Sequence, residues 1–213
     1  PRAGGVAGGR LHRAVARLDQ AALVREVTEL VALASGPLRA NSSPMAAVSL
    51  SGALTAVVTP FSDDLSEIDW AAFDALVEAQ LAGGISGLVP CGTTGESPTL
   101  SDSEQRELVK RTASLAKGKV PIFAGTGSNN TKKTIDASKA ALEAGADGVM
   151  IVMPYYNKPS QQGLIRHVQT VAKEIGGAPV ILYNIPGRTG VELSVESTLE
   201  LLDSSPNVVA IKD

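Results

Sequence analysis

Short apolar runs alternate with segments of helical spacing from Ala53 onward, and this alternation constrains the fold more than any other feature of the sequence. The runs predict six strands, at Ala53–Thr59, Gly87–Cys91, Val120–Ala124, Gly148–Met153, Pro179–Tyr183 and Val208–Lys212. The intervening segments predict five helices, at Asp69–Ala82, Ser101–Lys117, Thr131–Ala144, Ser160–Ile175 and Ser194–Leu202. Because the runs are continuously apolar, both faces of each strand should be covered, which is typical of a parallel α/β sheet.

Repeated βα units suit either a doubly wound sheet or a TIM (β/α)8 barrel, and periodicity alone does not choose between them. A barrel needs eight units and about 250 residues, whereas residues 45–213 supply six units. We therefore expect a barrel to be truncated here after about the sixth strand. Two strand edges would then lie open, and the chain by itself should have little or no activity.

Residues 1–44 differ from the rest and are expected to be an N-terminal extension or a non-native leader, while residues 45–213 form the partial barrel. Leu11–Ala34 has apolar residues at helical spacing, and Asn41–Pro44 is typical of a linker before Met45. An appended helix, a leader translated upstream of Met45 and a transit peptide all remain open. The acidic residues of the segment count against a transit peptide.

The composition excludes several classes of protein. The chain has 213 residues, 44% hydrophobic and 19% charged, with a net charge of −3. It shows no basic stripe for nucleic acid and no apolar run of the roughly 18 residues that a membrane span needs. Cys91 is the sole cysteine, so no internal disulfide can form. We expect a reducing, cytoplasmic environment.

Polar and glycine-rich loops follow the predicted strands, at the face where barrel enzymes carry their active sites. After the second strand, Thr93 and Thr94 stand between glycines, and their hydroxyl and N–H groups could bind a small anion such as a carboxylate. A tight turn with helix-capping residues explains the same pattern. After the third strand, Gly125–Asn130 lacks the third glycine of a dinucleotide-binding loop, so no nucleotide cofactor is expected there.

All three tyrosines, Tyr155, Tyr156 and Tyr183, lie in or beside the loops after the fourth and fifth predicted strands. Phenol groups can relay protons to a substrate, although aromatic packing over a barrel mouth would cluster them as well. Arg188, in the second of these loops, has the planar fork that binds a carboxylate. An exposed loop arginine is also often merely solvated.

Lys212 ends the sixth apolar run, which is an unusual place for a charge because burying an ammonium group is costly. Desolvation would lower its pKa and leave a neutral amine that can form an imine with a ketone. Two other interpretations stay open: the lysine reaches outward to the rim of the barrel, or it is simply exposed.

The ordered set of motifs resembles the dihydrodipicolinate synthase family, which are pyruvate-dependent class I aldolases built on a (β/α)8 barrel. The motifs that carry the resemblance are Gly92–Glu96, Tyr155–Pro159, Leu182–Pro186, Arg188–Gly190 and Ile211–Asp213. Gly52–Pro60 also resembles that family's first strand. The resemblance covers about Gly52 to Asp213 and does not extend to residues 1–44.

The resemblance implies that Lys212 condenses with pyruvate and that the resulting enamine attacks L-aspartate-4-semialdehyde, on the route to diaminopimelate and lysine. Thr93, Tyr156 and Tyr183 would form a proton relay. Tyr156 would reach a neighbouring subunit across a tight dimer, and two such dimers would form a tetramer. No metal or organic cofactor is implied.

On the same resemblance, Thr94 and Gly92 would bind the pyruvate carboxylate, and Arg188 would bind the carboxylate of the semialdehyde. N-acetylneuraminate lyase and the 2-keto-3-deoxy sugar acid aldolases share the imine lysine and the fold, so a sister aldolase is the alternative. Arg188 and the double threonine favour the synthase. A non-catalytic phosphate- or nucleotide-binding domain is a further alternative, but it would have no need for Lys212 at a strand end.

Feedback inhibition by lysine should be weak or absent. Ser97, Asn129 and Tyr155 match the family's lysine site, but Asp102 replaces a histidine and Lys133 replaces an acid that pairs with the inhibitor's ammonium group. The ammonium group of Lys133 would repel that of the inhibitor. Titration of the complete enzyme with lysine checks this expectation, and half-inhibition at submillimolar lysine would contradict it.

Overall fold

The computed structural model describes residues 50–213, so the predictions for residues 1–44 lie outside the described part of the chain. The strands are β1 (Leu54–Ala56), β2 (Gly87–Val89), β3 (Phe123–Gly125), β4 (Gly148–Val152), β5 (Val180–Tyr183) and β6 (Val208–Lys212). The helices are α1 (Trp70–Ala82), α2 (Asp102–Ala116), α3 (Thr131–Glu143), α4 (Gln161–Glu174), α5 (Pro186–Thr189) and α6 (Val195–Ser204). All six predicted strands and all five predicted helices are thus confirmed, and α5 is additional.

Each strand pairs in parallel with its neighbour along the chain, which gives the orders β1–β2 and β3–β4–β5–β6. A parallel bridge between Leu88 and Ile122 connects β2 to the residue before β3. A doubly wound sheet would reverse its strand order at a switch point, and residues 50–213 show no reversal. The order is that of successive strands in a (β/α)8 barrel. None of the helices in this range has the length and apolar character of a membrane span.

Two local differences from the predictions arise from proline. The third strand was expected to begin at Val120, but β3 begins at Phe123, because Pro121 has no N–H to donate to a ladder. A loop was expected at residues 186–189, where the structure forms α5. Pro186 presets the helical φ at its first position, and Gly190 ends it with a left-handed φ of 70°.

A capping box begins α2. The Ser101 hydroxyl accepts from the Glu104 N–H at 3.3 Å, and the Glu104 carboxylate accepts from the Ser101 N–H at 2.7 Å. These bonds satisfy donors that a helix start leaves unpaired. The hydroxyl and N–H of Ser101 also lower the pKa of Glu104, because both stabilise its ionised form.

The strands separate two apolar layers, because successive side chains of a strand point to opposite faces. One face of β4 and β5 packs against helices through Val149, Ile151, Val180 and Leu182. The other face forms a separate cluster of Val89, Phe123, Met150, Ile181 and Tyr183. The second face corresponds to the interior of a barrel, and Tyr183 lies at its carboxyl end.

His167, on α4, is buried in the helical layer with only 5% of its surface exposed. Its Nδ1 atom lies 2.9 Å from Thr131 Oγ1 at the start of α3, and its Nε2 atom has no hydrogen-bond partner within residues 50–213. Burial lowers the pKa of His167 from 6.5 to about 4, since an imidazolium loses its hydration there. The folded state therefore holds this ring neutral near pH 7.

Acid should destabilise the chain partly through His167. The unfolded state takes up a proton near the ordinary pKa of 6.5 and the folded state only near about 4, so the free energy of unfolding falls as the pH is lowered through that window. At ~1.4 kcal/mol per pKa unit, the loss from this residue is at most about 3 kcal/mol. Denaturant unfolding across the window should show a smaller loss in His167→Gln than in the parent. Equal losses in the parent and in His167→Gln would contradict the assignment.

Candidate active site

The carboxyl ends of β5 and β6 bring two predicted catalytic residues together. The strand register pairs Tyr183 with Lys212, and paired residues of neighbouring strands point to the same face. The Nζ atom of Lys212 lies 4.2 Å from the centroid of the Tyr183 ring. Tyr183 is only 6% exposed, so its ring forms a floor beneath the lysine. This distance is within the range of a cation–π contact.

A register irregularity in β6 makes this pairing possible. Val180 pairs with Val208, but the next residue, Ile181, pairs with Ala210, so one residue of β6 is left out of the ladder. Without that shift, the residue opposite Tyr183 would be Ile211. Such bulges re-aim side chains at sheet edges and beside active sites, and this one turns the lysine toward the inner face.

The structure does not bury Lys212, contrary to the expectation of a desolvated amine. Exposure increases along β6, from the buried Val208 to the exposed Ile211 and Lys212. Within residues 50–213, β6 is hydrogen-bonded only to β5, and its other edge is uncovered. Of the two other interpretations, that of a simply exposed lysine describes this arrangement, since its Nζ atom lies over the Tyr183 ring on the inner face.

The two threonines lie on a 3₁₀ turn, Thr93–Gly95, that begins directly after Gly92. The Gly92 carbonyl accepts from the Gly95 N–H at 3.1 Å, which closes the turn. Thr93 and Thr94 are exposed, and neither hydroxyl has a hydrogen-bond partner among residues 50–213. These hydroxyls are available to an anion, although the tight turn of the alternative interpretation is also present.

Cys91, just before this turn, is buried. Burial raises the pKa of its thiol from 9.0 to about 12, because a thiolate would lose its hydration there. Cys91 is therefore no candidate nucleophile. Residues 50–213 also contain no group of three or more His, Cys, Asp or Glu side chains that could hold a metal ion.

Thr59 and Gly95 fix the threonine turn to the segment that follows β1. The buried Thr59 hydroxyl donates to the Gly95 carbonyl at 2.8 Å. A Cβ atom on Gly95 would lie 2.8 Å from the Val57 carbonyl oxygen and 3.3 Å from Thr59 Oγ1. The turn therefore rests directly on backbone. The sequence analysis did not identify Thr59 as a residue that holds the site. The feature that could have identified it is a hydroxyl residue at the end of the predicted first strand.

The two tyrosines of the fourth loop are exposed, in contrast to Tyr183. Tyr156 is 86% and Tyr155 is 38% exposed. Tyr156 has a left-handed φ of 69°, and its N–H donates to the Thr189 carbonyl at 3.2 Å. No hydrogen bond joins Thr93, Tyr156 and Tyr183 within residues 50–213, so the implied relay is not assembled in this part of the chain.

Arg188 lies in the last turn of α5 and is exposed. The same short helix ends at Thr189, whose carbonyl holds Tyr156, so the loops after β4 and β5 meet here. A Cβ atom on Gly190 would lie 3.3 Å from Cε of Lys158, which shows how closely these loops approach. The guanidinium group thus stands at the carboxyl face of the sheet, without a salt bridge within the described range.

Two of the residues named for a lysine site line the same cleft. Asp102 and Lys133 line one cleft of about 510 Å³ between α2 and α3. Ser97, Asn129 and Tyr155 do not line this cleft. The cleft is lined by both basic and acidic groups, so it lacks the acidic surplus that the side-chain ammonium group of lysine would favour.

Asn184 is a residue of the site that sequence reasoning did not single out. It directly follows Tyr183 and is 5% exposed, and its side-chain amide donates to the Asp213 carboxylate at 2.7 Å. The only sequence feature that pointed to Asn184 was its position inside the Leu182–Pro186 motif. Periodicity gave no indication that a polar side chain after β5 would be buried.

Replacing Gly95 should destabilise the site, whereas replacing Gly187 should not. A methyl group at Gly95 meets a backbone oxygen at 2.8 Å, while nothing lies within 4 Å of one at Gly187. We expect Gly95→Ala to lower the free energy of unfolding by about 1–3 kcal/mol and Gly187→Ala to change it by less than about 0.5 kcal/mol. Denaturant unfolding measures both values, and equal effects would show that the threonine turn is not held in this way.

Comparison with known protein families gives a match over most of the chain. Residues 49–213 match the dihydrodipicolinate synthetase family. A 4-hydroxy-tetrahydrodipicolinate synthase of Sorangium cellulosum is 62% identical over 169 residues, which are 79% of this chain and 56% of that protein. One from Salinibacter ruber is 49% identical over 162 residues, covering 76% of this chain and 53% of the relative. The chain thus spans about half the length of these relatives.

Solved structures resemble the described fold at similar coverage. The 4-hydroxy-tetrahydrodipicolinate synthase of Methylacidiphilum fumariolicum SolV has a TM-score of 0.74 at 45% identity, over 78% of this chain and 54% of that one. The chloride-inhibited dihydrodipicolinate synthase of Acinetobacter baumannii, solved in complex with pyruvate, has a TM-score of 0.75 at 43% identity, over 78% and 56%. The strand order seen above is therefore that of a TIM barrel, as predicted.

Proposed function

Because the chain belongs to the dihydrodipicolinate synthetase family, we propose that its barrel condenses pyruvate with L-aspartate-4-semialdehyde through an imine on Lys212. The observation that carries the proposal is the lysine Nζ atom 4.2 Å from the Tyr183 ring, at the carboxyl ends of two paired strands. An amine beside a phenol supplies both a nucleophile and a group that can move a proton. The names of the relatives favour the synthase over a sister aldolase.

The proposed reaction is balanced without an oxidant or a cofactor. The neutral amine of Lys212 attacks the keto carbon of pyruvate and water leaves, which forms the imine. Loss of a proton from the methyl group gives an enamine, whose carbon attacks the aldehyde of the semialdehyde. The amino group of the semialdehyde then displaces Lys212 and closes the ring. The centroid of the Tyr183 ring lies 4.2 Å from the Lys212 Nζ atom, and its hydroxyl is proposed to move protons in these steps.

We propose that the pyruvate carboxylate binds at the turn after Gly92. Thr93 and Thr94 are exposed there, and their hydroxyls have no other partner in the described range. Hydroxyl and backbone N–H donors suit a carboxylate. Of the two threonines, Thr94 is proposed to hold the carboxylate and Thr93 to take part in the proton relay.

We also propose that the site is completed by a second copy of the protein. Tyr156 is 86% exposed, which leaves its ring available to contact another chain. Its left-handed φ of 69° is uncommon for a bulky residue. In a tight dimer, Tyr156 would enter the neighbouring site and join Thr93 and Tyr183. The tetramer made of two such dimers belongs to the same proposal.

Arg188 is proposed to bind the carboxylate of the semialdehyde. Its exposed guanidinium group lies on α5, at the face where Tyr183 and Lys212 end their strands. A planar fork can hold a carboxylate through two parallel hydrogen bonds. The anchor would orient the aldehyde toward the enamine, which is the positioning that the carbon–carbon bond requires.

The proposal requires a neutral amine, and Lys212 is exposed in the described range. Relatives are nearly twice as long as the matched region, which is 56% of the Sorangium cellulosum protein. We propose that the corresponding further chain pairs with the open edge of β6 and desolvates Lys212, which would lower its pKa.

The free thiol of Cys91 agrees with the proposed cytoplasmic location.

Borohydride trapping tests the imine directly. Residues 45–213 replace the matching part of the Sorangium cellulosum relative, and this chimera is treated with pyruvate and borohydride. We expect a reduced pyruvyl adduct on Lys212, identified by peptide mass mapping, because borohydride reduces an imine to a stable amine. Turnover of the semialdehyde rather than of a sugar aldehyde then separates a synthase from a sister aldolase.

Two lysine variants serve as controls for the trapping experiment. Lys212→Arg keeps the positive charge but cannot form the imine, so the adduct should disappear. Lys173→Arg changes an exposed lysine in the last turn of α4 and should leave the adduct unchanged. A folded chimera that forms no adduct, or one whose adduct is spread over exposed lysines, would contradict the proposal.

A further inference from the structure

Asn184 is a buried amide at the end of β5 whose side-chain groups are all engaged. Its Oδ1 accepts from the Leu193 N–H at 2.9 Å. Its Nδ2 donates to Asp213 Oδ1 at 2.7 Å and, at 3.5 Å, to the Leu193 carbonyl. Only 5% of the residue is exposed. A buried polar side chain bonded in several directions is typical of a group that fixes its neighbours.

Asn184 holds both Lys212 and the residue that follows it. The Asn184 N–H donates to the Lys212 carbonyl at 2.8 Å, and its side chain holds the next residue, Asp213. Tyr183, directly before Asn184, supplies the ring beneath the lysine Nζ atom. Two successive residues of one strand end therefore fix two successive residues of the other. They do so where β6 has no second strand neighbour within residues 50–213.

The same amide connects the lysine to the loop that carries Arg188. Leu193 closes the loop after β5 and is bonded to Asn184 through both its N–H and its carbonyl. A displacement of Asn184 would thus move the end of β6 and the base of this loop together. The bond to Asp213 joins an amide donor to a carboxylate, which is stronger than a bond between neutral groups.

We infer that Asn184 is a positioning residue that holds the Lys212 backbone, through the Lys212 carbonyl and the Asp213 carboxylate, in the orientation from which the amine attacks pyruvate. The inference rests on the proposed function, since the orientation matters only if Lys212 forms the imine. Asn184 does not touch the reacting atoms. Its loss therefore changes the rate and the pH dependence of imine formation, in addition to any effect on stability.

The test measures the rate constant of borohydride-trapped imine formation in the chimera, as a function of pyruvate concentration and pH. Asn184→Asp sets a second carboxylate against Asp213, and misplacing the lysine by a fraction of an ångström or more slows trapping by about 10- to 100-fold. The added negative charge also moves the pH profile upward, because it favours the ammonium form of Lys212. Asp213→Asn keeps an oxygen acceptor for Asn184 and retains nearly the parent rate.

A double variant and a control variant distinguish an effect on the placement of Lys212 from an effect on the stability of the fold. Asn184→Asp combined with Asp213→Asn reverses donor and acceptor, keeps an acceptor for the Leu193 N–H, and should recover most of the rate and the parent pH profile. Asn207→Ala is the matched control. Its amide donates to the carbonyls of Ala172 and Ala178 at 3.0 and 2.9 Å, at the other end of β5 and β6, so it should lower stability and leave trapping unchanged.

The outcomes distinguish a positioning role of Asn184 from a purely structural one. Trapping by Asn184→Asp at the parent rate and with the parent pH profile overturns the inference, even if its unfolding temperature falls. A parent chimera that traps no pyruvate contradicts the proposed function itself, and the inference with it. If Asn184→Asp does not fold, Asp213→Ala decides, because it removes only the exposed partner: slowed trapping supports the positioning role, and the parent rate overturns it.

Discussion

The register between β5 and β6 is the constraint on which the candidate site depends. A parallel ladder places paired side chains on the same face, and a slip of one residue moves a side chain to the opposite face. The irregularity after Val180 takes up one residue of β6 and sets Lys212, rather than Ile211, opposite Tyr183. The hydrogen bond from the Asn184 N–H to the Lys212 carbonyl continues that register by one residue beyond the strands.

Close backbone approaches hold the loops around this pair. A Cβ atom on Gly125 would lie 2.2 Å from the Cys91 carbonyl oxygen, and one on Gly127 would lie 2.3 Å from the Val152 nitrogen. At these two positions the chain at the end of β3 approaches the backbone of β4 and of the segment after β2 with no side chain between them. Glycine is required at such contacts because any larger residue would push the backbones apart. This packing fixes the threonine turn at the same face as Lys212.

The site divides into a buried floor and an exposed rim. Tyr183 and Asn184 are buried at the end of β5, while Thr93, Tyr156 and Lys212 are exposed. Buried polar groups are fixed by their hydrogen bonds, whereas exposed groups are free to meet a substrate or another chain. Residues 50–213 thus supply the buried, fixed groups of the proposed site. The proposed relay and the proposed desolvation both require surfaces that lie outside residues 50–213.

The sequence by itself determined the elements and the face of the site. Continuous apolar runs predicted the six strands of residues 50–213, because burial of both faces requires apolar residues throughout a strand. Helical spacing predicted the five longer helices of the same range. Polar loops after strands pointed to Tyr183 and the two threonines, and a charge at the end of an apolar run pointed to Lys212. Only the tertiary structure decided the strand order, the register irregularity, the exposure of Lys212 and the role of Asn184. These depend on which strand lies beside which, and contacts between residues far apart in the chain leave no periodic pattern in the sequence.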